Sequence, residues 1–238
     1  MIKKRLAIVG FSVFCLAWAC SGLSGPGKGA VYKGLPDRMD PKQKYLFYMH
    51  GAWIEVKGLN APHPRYGKYE YDKIVQGLSD QGFAVITEPR LNRVDSGYYA
   101  EKITMQARDL IGGGVPPDNI TVIGHSKGGI MALLVASMLE ETKVNFVIMA
   151  GCGRKQTKFR RVYEKFLENR AAFLRGRILS LYDGADRAAG TCQEAFSAAS
   201  HISSKEIVLN TGRGHGLFYS PEPIWIKEVA MWAGLQSP

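Results

Sequence analysis

A serine in a Gly-x-Ser-x-Gly pattern carries the clearest chemical signal in this sequence. Ser126 lies between Gly124 and Gly128, directly after the β-branched run 120–123 and directly before a helical pattern over 128–140. A serine in a sharp strand-to-helix turn presents its hydroxyl at the edge of a sheet, where a base can activate it as a nucleophile. Glycine has no Cβ, so the flanking glycines let the strand and the helix approach closely. This context predicts a nucleophile rather than an ordinary turn serine.

A serine nucleophile needs a general base, and two histidines follow Ser126 in the chain. His215 lies in a Gly-Arg-Gly-His-Gly run just after the last predicted strand. A glycine-flanked loop at the end of a strand allows an imidazole to reach over the sheet, so we predict that His215 is the base. His201 follows a predicted helix and is typical of a surface or capping residue, and it remains the alternative.

The imidazole in turn needs a carboxylate that holds and polarises it. Asp183 and Asp186 both follow the strand predicted over 178–182. A carboxylate that orients a histidine usually lies several residues beyond the strand end, which favours Asp186. Asp183 remains the alternative, and its other interpretation is a turn residue whose carboxylate accepts hydrogen bonds from local backbone amides.

The negative charge that develops during acyl transfer needs backbone N–H donors nearby. The amide of Lys127, the residue after the nucleophile, is one predicted donor. The loop that begins with His50 should supply the other, and Ala52 is the predicted donor, with Trp53 the alternative. We expect His50 to fix this loop through hydrogen bonds rather than to transfer protons, and His125 to point away from Ser126 in a structural role.

These motifs together resemble the α/β-hydrolase superfamily over nearly all of the chain from residue 44 onward. Four motifs occur in the order that this family shows, namely His50-Gly51, the elbow Gly-His-Ser-Lys-Gly-Gly at 124–129, the Asp183/Asp186 loop and His215. More loosely, the chain is similar to an exported bacterial branch of the superfamily that carries Gly-x-Ser-Lys-Gly-Gly and a cysteine after the next strand. The resemblance implies the fold and a Ser126–His215–Asp186 triad, and it implies no substrate.

Strand and helix patterns alternate along the same part of the chain. Short apolar runs predict six strands, over 45–49, 83–87, 120–123, 144–149, 178–182 and 206–209. Helical patterns lie between and after them, over 66–81, 96–110, 128–140, 157–175, 192–200 and 223–232. This alternation predicts an α/β fold, a mostly parallel sheet of about six strands with helices on both faces. Only about one helix separates the fourth and fifth strands, so we expect no large lid.

The N-terminal residues have the pattern of an export signal. Residues 1–5 are basic, 6–19 form an apolar run and Ala17-Trp18-Ala19 has the small-x-small cleavage pattern. We therefore predict a signal peptide over 1–19, a tether or lead-in over 20–43 and the α/β-hydrolase domain over 44–238, with a retained N-terminal anchor as the alternative. Cys20 resembles the lipidated cysteine of a bacterial lipobox. The expected location is the periplasm or the cell envelope, with Cys20 lipid as a possible membrane anchor.

The cysteine count is consistent with this interpretation. Cys15 leaves with the signal, so Cys20, Cys152 and Cys192 remain in the mature chain. If Cys20 carries lipid, the other two can form a disulfide in an oxidising compartment. Both follow predicted strands at the same edge of the sheet, so we predict the pair Cys152–Cys192.

The charge is basic, with 31 Lys and Arg against 21 Asp and Glu and a formal net charge of +10. A basic exported protein can lie near anionic envelope polymers or lipid head groups, but a solvated surface explains the excess as well. The sequence contains no pattern of a nucleic-acid module, no metal-ligand spacing and no dinucleotide-binding glycine motif before a helix. We therefore expect no cofactor, no metal and no nucleic-acid partner.

Aromatic residues after the first two predicted strands can line a substrate pocket. Trp53, Tyr66 and Tyr98 are the predicted pocket residues, although ordinary helix packing explains such residues equally well. The Lys127 side chain is unusual beside a nucleophile. We expect it to face solvent at the pocket rim, with attraction of an anionic substrate or no role as the alternatives.

The sequence as a whole predicts an exported serine hydrolase that acts on a small-molecule carboxylic ester through an acyl-enzyme. An acyltransferase or an amidase that uses the same triad is the enzymatic alternative. A non-catalytic, envelope-anchored binding protein is the third interpretation. The substrate and the oligomeric state stay open.

Overall fold

The computed structural model describes residues 29–235. The predicted signal peptide and Cys20 lie outside the described residues, so export and lipidation stay predictions. None of the helices within the described range is long and apolar enough to cross a membrane.

A parallel sheet of seven strands forms the centre of the molecule. Its strands are β1 (Val31–Tyr32), β2 (Tyr45–Met49), β3 (Ala84–Ile86), β4 (Ile120–His125), β5 (Asn145–Met149), β7 (Arg177–Asp183) and β9 (Ser203–Leu209). From one edge of the sheet to the other, their order is β1-β3-β2-β4-β5-β7-β9. A separate antiparallel pair consists of β6 (Cys152–Gly153) and β8 (Ala189–Gly190). The predicted parallel sheet with flanking helices is confirmed.

The additional strand, β1, lies within the segment expected to be a loose lead-in. It is only two residues long and only partly buried, so it has no apolar run that a sequence pattern could detect. It pairs with β3 at the edge of the sheet, and the Val85 amide donates to the Ala30 carbonyl. The folded part of the chain therefore begins before residue 44.

Seven α-helices surround the sheet within the described range. They are α1 (Ala52–Lys57), α2 (Tyr71–Ser79), α3 (Ser96–Gly112), α4 (Lys127–Met138), α5 (Lys158–Asn169), α6 (Gln193–Ser197) and α7 (Pro223–Trp232). The sequence did not predict α1, and α2 begins five residues later than expected. The reason is local, because Gly67 pairs with His63 in an isolated bridge and has a positive φ of 74° instead of entering a helix.

Alternate residues of each strand bury against opposite helical layers, as the two-residue period of a strand requires. In β2, Tyr45 and Phe47 pack into the core beneath α3 and α4. Leu46 and Tyr48 pack into the core beneath α2 and α7. Helices thus cover both faces of the sheet, and only α5 and a short 3₁₀ segment (Ala171–Phe173) lie between β6 and β7.

The parallel register brings the ends of the central strands to one edge of the sheet. Met49 of β2 lies beside Gly124 of β4, and His125 lies beside Met149 of β5. Loops that leave these strands therefore meet, and this edge is where open α/β sheets place their sites.

Candidate active site

Ser126 occupies a strained turn between β4 and α4. Its backbone dihedrals are φ 57° and ψ −116°, a region that non-glycine residues rarely adopt. A Cβ on Gly128 would lie 2.0 Å from the Met49 carbonyl oxygen, and one on Gly124 would lie 2.0 Å from the Gly128 carbonyl oxygen. Only glycine fits at these two positions, so the sequence pattern and the sharp turn have the same steric cause.

His215 and Asp186 form a direct hydrogen bond, in which His215 Nδ1 donates to Asp186 Oδ2 over 2.7 Å. The carboxylate is fully buried, and its Oδ1 accepts from the amides of Ala188 and Ala189. These two amides fix the orientation of the carboxylate and leave Oδ2 for the imidazole. Since Nδ1 carries the proton, Nε2 is the nitrogen with a free lone pair.

The alternative acid, Asp183, has a different set of contacts. Its Oδ1 accepts from the Ala185 and Gly214 amides, and its Oδ2 accepts from the Thr211 amide and hydroxyl. Burial alone would raise the pKa of this carboxyl, but the hydrogen bonds outweigh burial and lower the pKa below its ordinary value. Asp183 therefore ties the loop that carries His215 to the end of β7 and does not contact the imidazole.

His215 lies close to the residue that precedes Ser126. The rings of His215 and His125, the neighbour of Ser126, have centroids 4.8 Å apart. Across residues 29–235, Ser126 has no side-chain hydrogen bond to His215. Catalytic hydrogen bonds of this kind are often open without substrate and shorten in the complex.

Two helices begin beside Ser126. The first turn of α1 starts at Ala52 after Gly51, and the first turn of α4 starts at Lys127. A Cβ on Gly51 would lie 3.5 Å from the Ser126 Cβ, so the start of α1 adjoins the serine directly. The first amides of a helix have no partner within the helix. The predicted donors Ala52 and Lys127 are therefore the first residues of two helices that begin beside Ser126, with Trp53 next in the same turn.

The Lys127 side chain does not face solvent as expected. Its Nζ lies 2.5 Å from Glu55 Oε2 and donates to the Val94 carbonyl over 2.6 Å. The other oxygen of Glu55 accepts from Arg90 Nε over 2.9 Å, and both of these side chains are almost completely buried. A three-residue ion network therefore connects α1, the loop after β3 and the residue next to Ser126. The sequence placed Glu55 in no role, because charged residues 35 and 72 positions from their partners give no local signal.

His50 fixes the same network from the end of β2, as expected. Its Nε2 accepts from the Arg90 amide over 2.7 Å, and its Nδ1 donates to the Gly51 carbonyl over 2.8 Å. Burial, followed by the positive charge of Arg90, lowers the pKa of His50 to about 3. The imidazole is therefore neutral near neutral pH and holds the backbone on which Ala52 follows.

His125 is likewise buried and structural. Its Nδ1 lies 3.1 Å from the Tyr69 hydroxyl, which also accepts from the Gly51 amide. Burial, and then the nearby His215, lower the pKa of His125 well below its ordinary value.

An aromatic cluster lies beside His215 and contains two of the predicted pocket residues. The His63 ring stacks on Tyr66 with centroids 4.5 Å apart and meets the edge of Trp53 at 4.4 Å. Tyr66 lies 6.1 Å from the His215 ring, and Tyr219 lies 5.5 Å from Tyr66. Sequence reasoning missed His63, although its position between Pro62 and Pro64 marked a rigid loop after the predicted oxyanion segment.

Two other candidates lie away from this cluster. Tyr98, in the first turn of α3, is 72% exposed and does not contribute to the cleft beside His215. His201 Nε2 contacts the Leu174 carbonyl and the Arg175 side chain. The structure therefore brings Trp53 and Tyr66 toward His215, and it does not bring Tyr98 or His201 there.

The predicted disulfide between Cys152 and Cys192 is confirmed, with their Cα atoms 5.3 Å apart. It adjoins the β6–β8 pair, in which Gly153 lies opposite Ala189. Ala189 donates one of the amides that hold Asp186, so the disulfide supports the backbone behind the acid. Within the described range, no group of three or more His, Cys, Asp or Glu side chains forms a metal-binding cluster.

The sheet topology and the flanking helices are those of the α/β-hydrolase fold, and comparison with solved structures agrees. The chain is similar to the monoacylglycerol lipase of Paleococcus ferrophilus (TM-score 0.59, 13% identity, 82% of this chain and 96% of that chain). It is also similar to an arylesterase (TM-score 0.55, 15% identity, 85% of this chain and 79% of that chain). An esterase/lipase from an uncultured bacterium is similar too (TM-score 0.55, 12% identity, 84% of this chain and 78% of that chain). No protein-family model and no curated protein matches the sequence. At these identities the likeness shows the fold, and the chain has the α/β-hydrolase fold.

Proposed function

We propose that this protein is a serine hydrolase that cleaves carboxylic esters of small molecules through an acyl-enzyme. The observation that supports this best is the 2.7 Å hydrogen bond from His215 to the buried Asp186, at the sheet edge where Ser126 occupies its strained turn. A buried carboxylate held by two amides and directed at an imidazole is costly to build, and it orients a base.

In the first half of the reaction, Ser126 Oγ attacks the ester carbonyl carbon and His215 Nε2 accepts the hydroxyl proton. The Asp186 carboxylate stabilises the resulting imidazolium through Nδ1–H. The amides of Ala52 and Lys127 stabilise the oxyanion of the tetrahedral intermediate. The C–O bond to the leaving alcohol then breaks, and the alcohol takes the proton from Nε2.

In the second half, a water molecule attacks the acyl-enzyme carbonyl and His215 Nε2 accepts one of its protons. The bond to Ser126 Oγ breaks, the serine recovers its proton from Nε2, and the carboxylic acid leaves. The network of Glu55, Arg90 and Lys127 takes no part in proton transfer in this scheme. It keeps the two amide donors at a fixed separation from the serine, and its members are positioning residues.

The test is hydrolysis of a short-chain aryl ester by the wild type and by Ser126→Ala. We expect the variant to lose activity by at least about 1,000-fold while its fold, measured by circular dichroism, is unchanged. A fluorophosphonate probe should label Ser126 in the wild type and fail to label the variant. Unchanged ester turnover in Ser126→Ala would rule out the proposed nucleophile. Product analysis with competing alcohols distinguishes hydrolysis from acyl transfer.

We also propose that the protein is exported and carries lipid on Cys20. The supporting observations are the signal pattern over 1–19 and a Cys152–Cys192 disulfide, which is typical of oxidising compartments. The intact mass of the mature protein tests this proposal. A mature chain that begins at Cys20 with added acyl chains is the expected result, and a mass without them would exclude lipidation.

A further inference from the structure

A cleft of about 550 Å³ opens directly beside His215, and its wall is basic. Three arginines line it, Arg65, Arg187 and Arg213, together with Tyr66 and short segments at Ala185 and 212–216. No acidic side chain is among the lining residues. A pocket that adjoins the proposed base therefore combines positive charge with one aromatic surface.

Two of the three arginines have no counter-ion in the described part of the chain. Arg213 binds Glu222 and the Ser220 hydroxyl, so its charge is already compensated. None of the salt bridges within residues 29–235 involves Arg65 or Arg187. Their guanidinium groups are free to bind an anion that enters the cleft.

The backbone that carries each of these arginines is held in place. The Arg65 amide donates to His63 Nδ1, inside a turn that two hydrogen bonds between His63 and Gly67 close. Arg187 lies between Asp186 and Ala188, whose amide binds the Asp186 carboxylate. Contacts of the proposed acid therefore place Arg187, and the closed turn at His63–Gly67 places Arg65. This distinguishes the two arginines from basic residues scattered over a surface.

We propose that the substrate carries an anionic group, a carboxylate or a phosphate, that binds Arg65 and Arg187 while its ester carbonyl lies at Ser126. This inference rests on the proposed function and narrows its substrate class. Guanidinium groups match the planar oxygen pairs of both anions, and they pair with them more strongly than neutral donors do. Tyr66 supplies an apolar surface for the part of the substrate between the anion and the ester.

The experiment compares pairs of esters that differ in one charge. For an anion on the acyl side, the pair is the mono-para-nitrophenyl ester of glutarate and para-nitrophenyl valerate. For an anion on the alcohol side, acetyl esters of hydroxybenzoate and of hydroxyphenyl phosphate are compared with the acetyl ester of methyl hydroxybenzoate. The wild type should have a higher kcat/KM for the charged member of at least one pair, and the favoured pair identifies the anion and its side.

The arginine variants then test the assigned residues. Arg65→Gln and Arg187→Gln should each lower kcat/KM for the favoured anionic ester by about 5-fold, and the double variant by about 20-fold. Circular dichroism and fluorophosphonate labelling of Ser126 should confirm an intact fold in each variant, and the measured quantity is the ratio of kcat/KM for the anionic ester to kcat/KM for the neutral ester. Arg38→Gln is the matched control, because it removes the same charge from an exposed position outside the cleft. The preference of the wild type should also weaken at high salt.

Two results would overturn the proposal, and they are distinguishable. In the first, neutral esters are hydrolysed in a Ser126-dependent manner, but the double variant keeps the wild-type ratio of kcat/KM for the anionic ester to kcat/KM for the neutral ester. The basic cleft then does not select the substrate, and the proposed function stands. If no ester is turned over and the fluorophosphonate leaves Ser126 unlabelled, the proposed function fails and the anionic substrate fails with it. A preference lost equally in Arg38→Gln would mean that overall charge, and not this cleft, attracts the anion.

Discussion

The two sides of the candidate site are held by different forces. The side of the proposed nucleophile, called the nucleophile side, is held by the buried ion pair of Glu55 and Arg90, by the half-buried Lys127 and by the buried imidazole of His50. The histidine side is held by backbone amides that donate to two buried carboxylates, those of Asp183 and Asp186. Both sides must fix an atom near the serine, but one side does so with long charged side chains and the other with short carboxylates.

This difference follows from what each side has to connect. The nucleophile side joins three separate strand ends, and only long side chains such as Arg90 and Lys127 can bridge them. The histidine side joins β7 to the nearby loop after β9, so short aspartates and local amides are sufficient. We therefore expect substitutions in the Glu55–Arg90–Lys127 network to affect mainly stability, and substitutions at the Asp186–His215 contact to affect mainly catalysis.

The largest expected effect is that of Asp186→Asn on turnover. The amide group would keep the two backbone hydrogen bonds through its oxygen and present an NH₂ to the imidazole. The imidazole would then carry its proton on Nε2 and could not accept the serine proton, so kcat should fall by about 10,000-fold with little loss of stability. The measurement is ester hydrolysis beside thermal unfolding. Activity within tenfold of the wild type would exclude Asp186 as the acid.

Glu55→Gln should have the largest effect on stability. Removal of this charge leaves Arg90 buried without a counter-ion, which costs about 3–5 kcal/mol of the free energy of unfolding. Glu88→Gln is the matched control, because Glu88 pairs with Lys102 at the surface, where side-chain exposures are 34% and 40%. The control should lose less than about 1 kcal/mol. Equal losses in both variants, measured by urea unfolding, would show that burial does not strengthen the network.

Asp183→Asn should have an intermediate effect on stability. The substituted NH₂ would face backbone N–H groups that now donate to a carboxylate oxygen, which costs about 2–3 kcal/mol. Because the pKa of Asp183 is lowered, this contribution is present at neutral pH and is lost as the pH falls below the ordinary carboxyl range. Asp37→Asn, at an exposed position, is the control. A variant as stable as the wild type at neutral pH would contradict the assigned role.

The smallest expected effect is the pH dependence due to His50. Its pKa is about 3 in the folded chain against an ordinary value of 6.5, so unfolding takes up a proton between these pH values. Stability is therefore full above pH 6.5 and falls as the pH drops toward 3. The His50 contribution between pH 7 and pH 5 is about 2 kcal/mol. His50→Gln should remove this part of the pH dependence, and the exposed His201→Gln should keep it. An unchanged slope in His50→Gln would exclude His50 as the cause.

The candidate catalytic residues could be selected from the sequence because each has a local cause. Ser126 is marked by glycines that a steric clash requires, and His215 is marked by a glycine-rich loop after a strand. The choice of Asp186 over Asp183 followed from its distance beyond the strand end. The edge strand β1 and the short helix α1 were not predictable, because two or six residues carry too little periodicity to stand out.

The sequence by itself determined the order of strands and helices, the strained serine turn and the candidates for base and acid, since these depend on neighbouring residues. The sequence favoured Asp186 and kept Asp183 as the alternative, and the tertiary structure showed that Asp186 meets His215. The tertiary structure alone decided that Lys127 binds Glu55 and that Arg65 and Arg187 line one cleft. These contacts join residues that are between 29 and 122 positions apart. Their energies depend on burial and on the direction of each side chain, and no local pattern encodes either one.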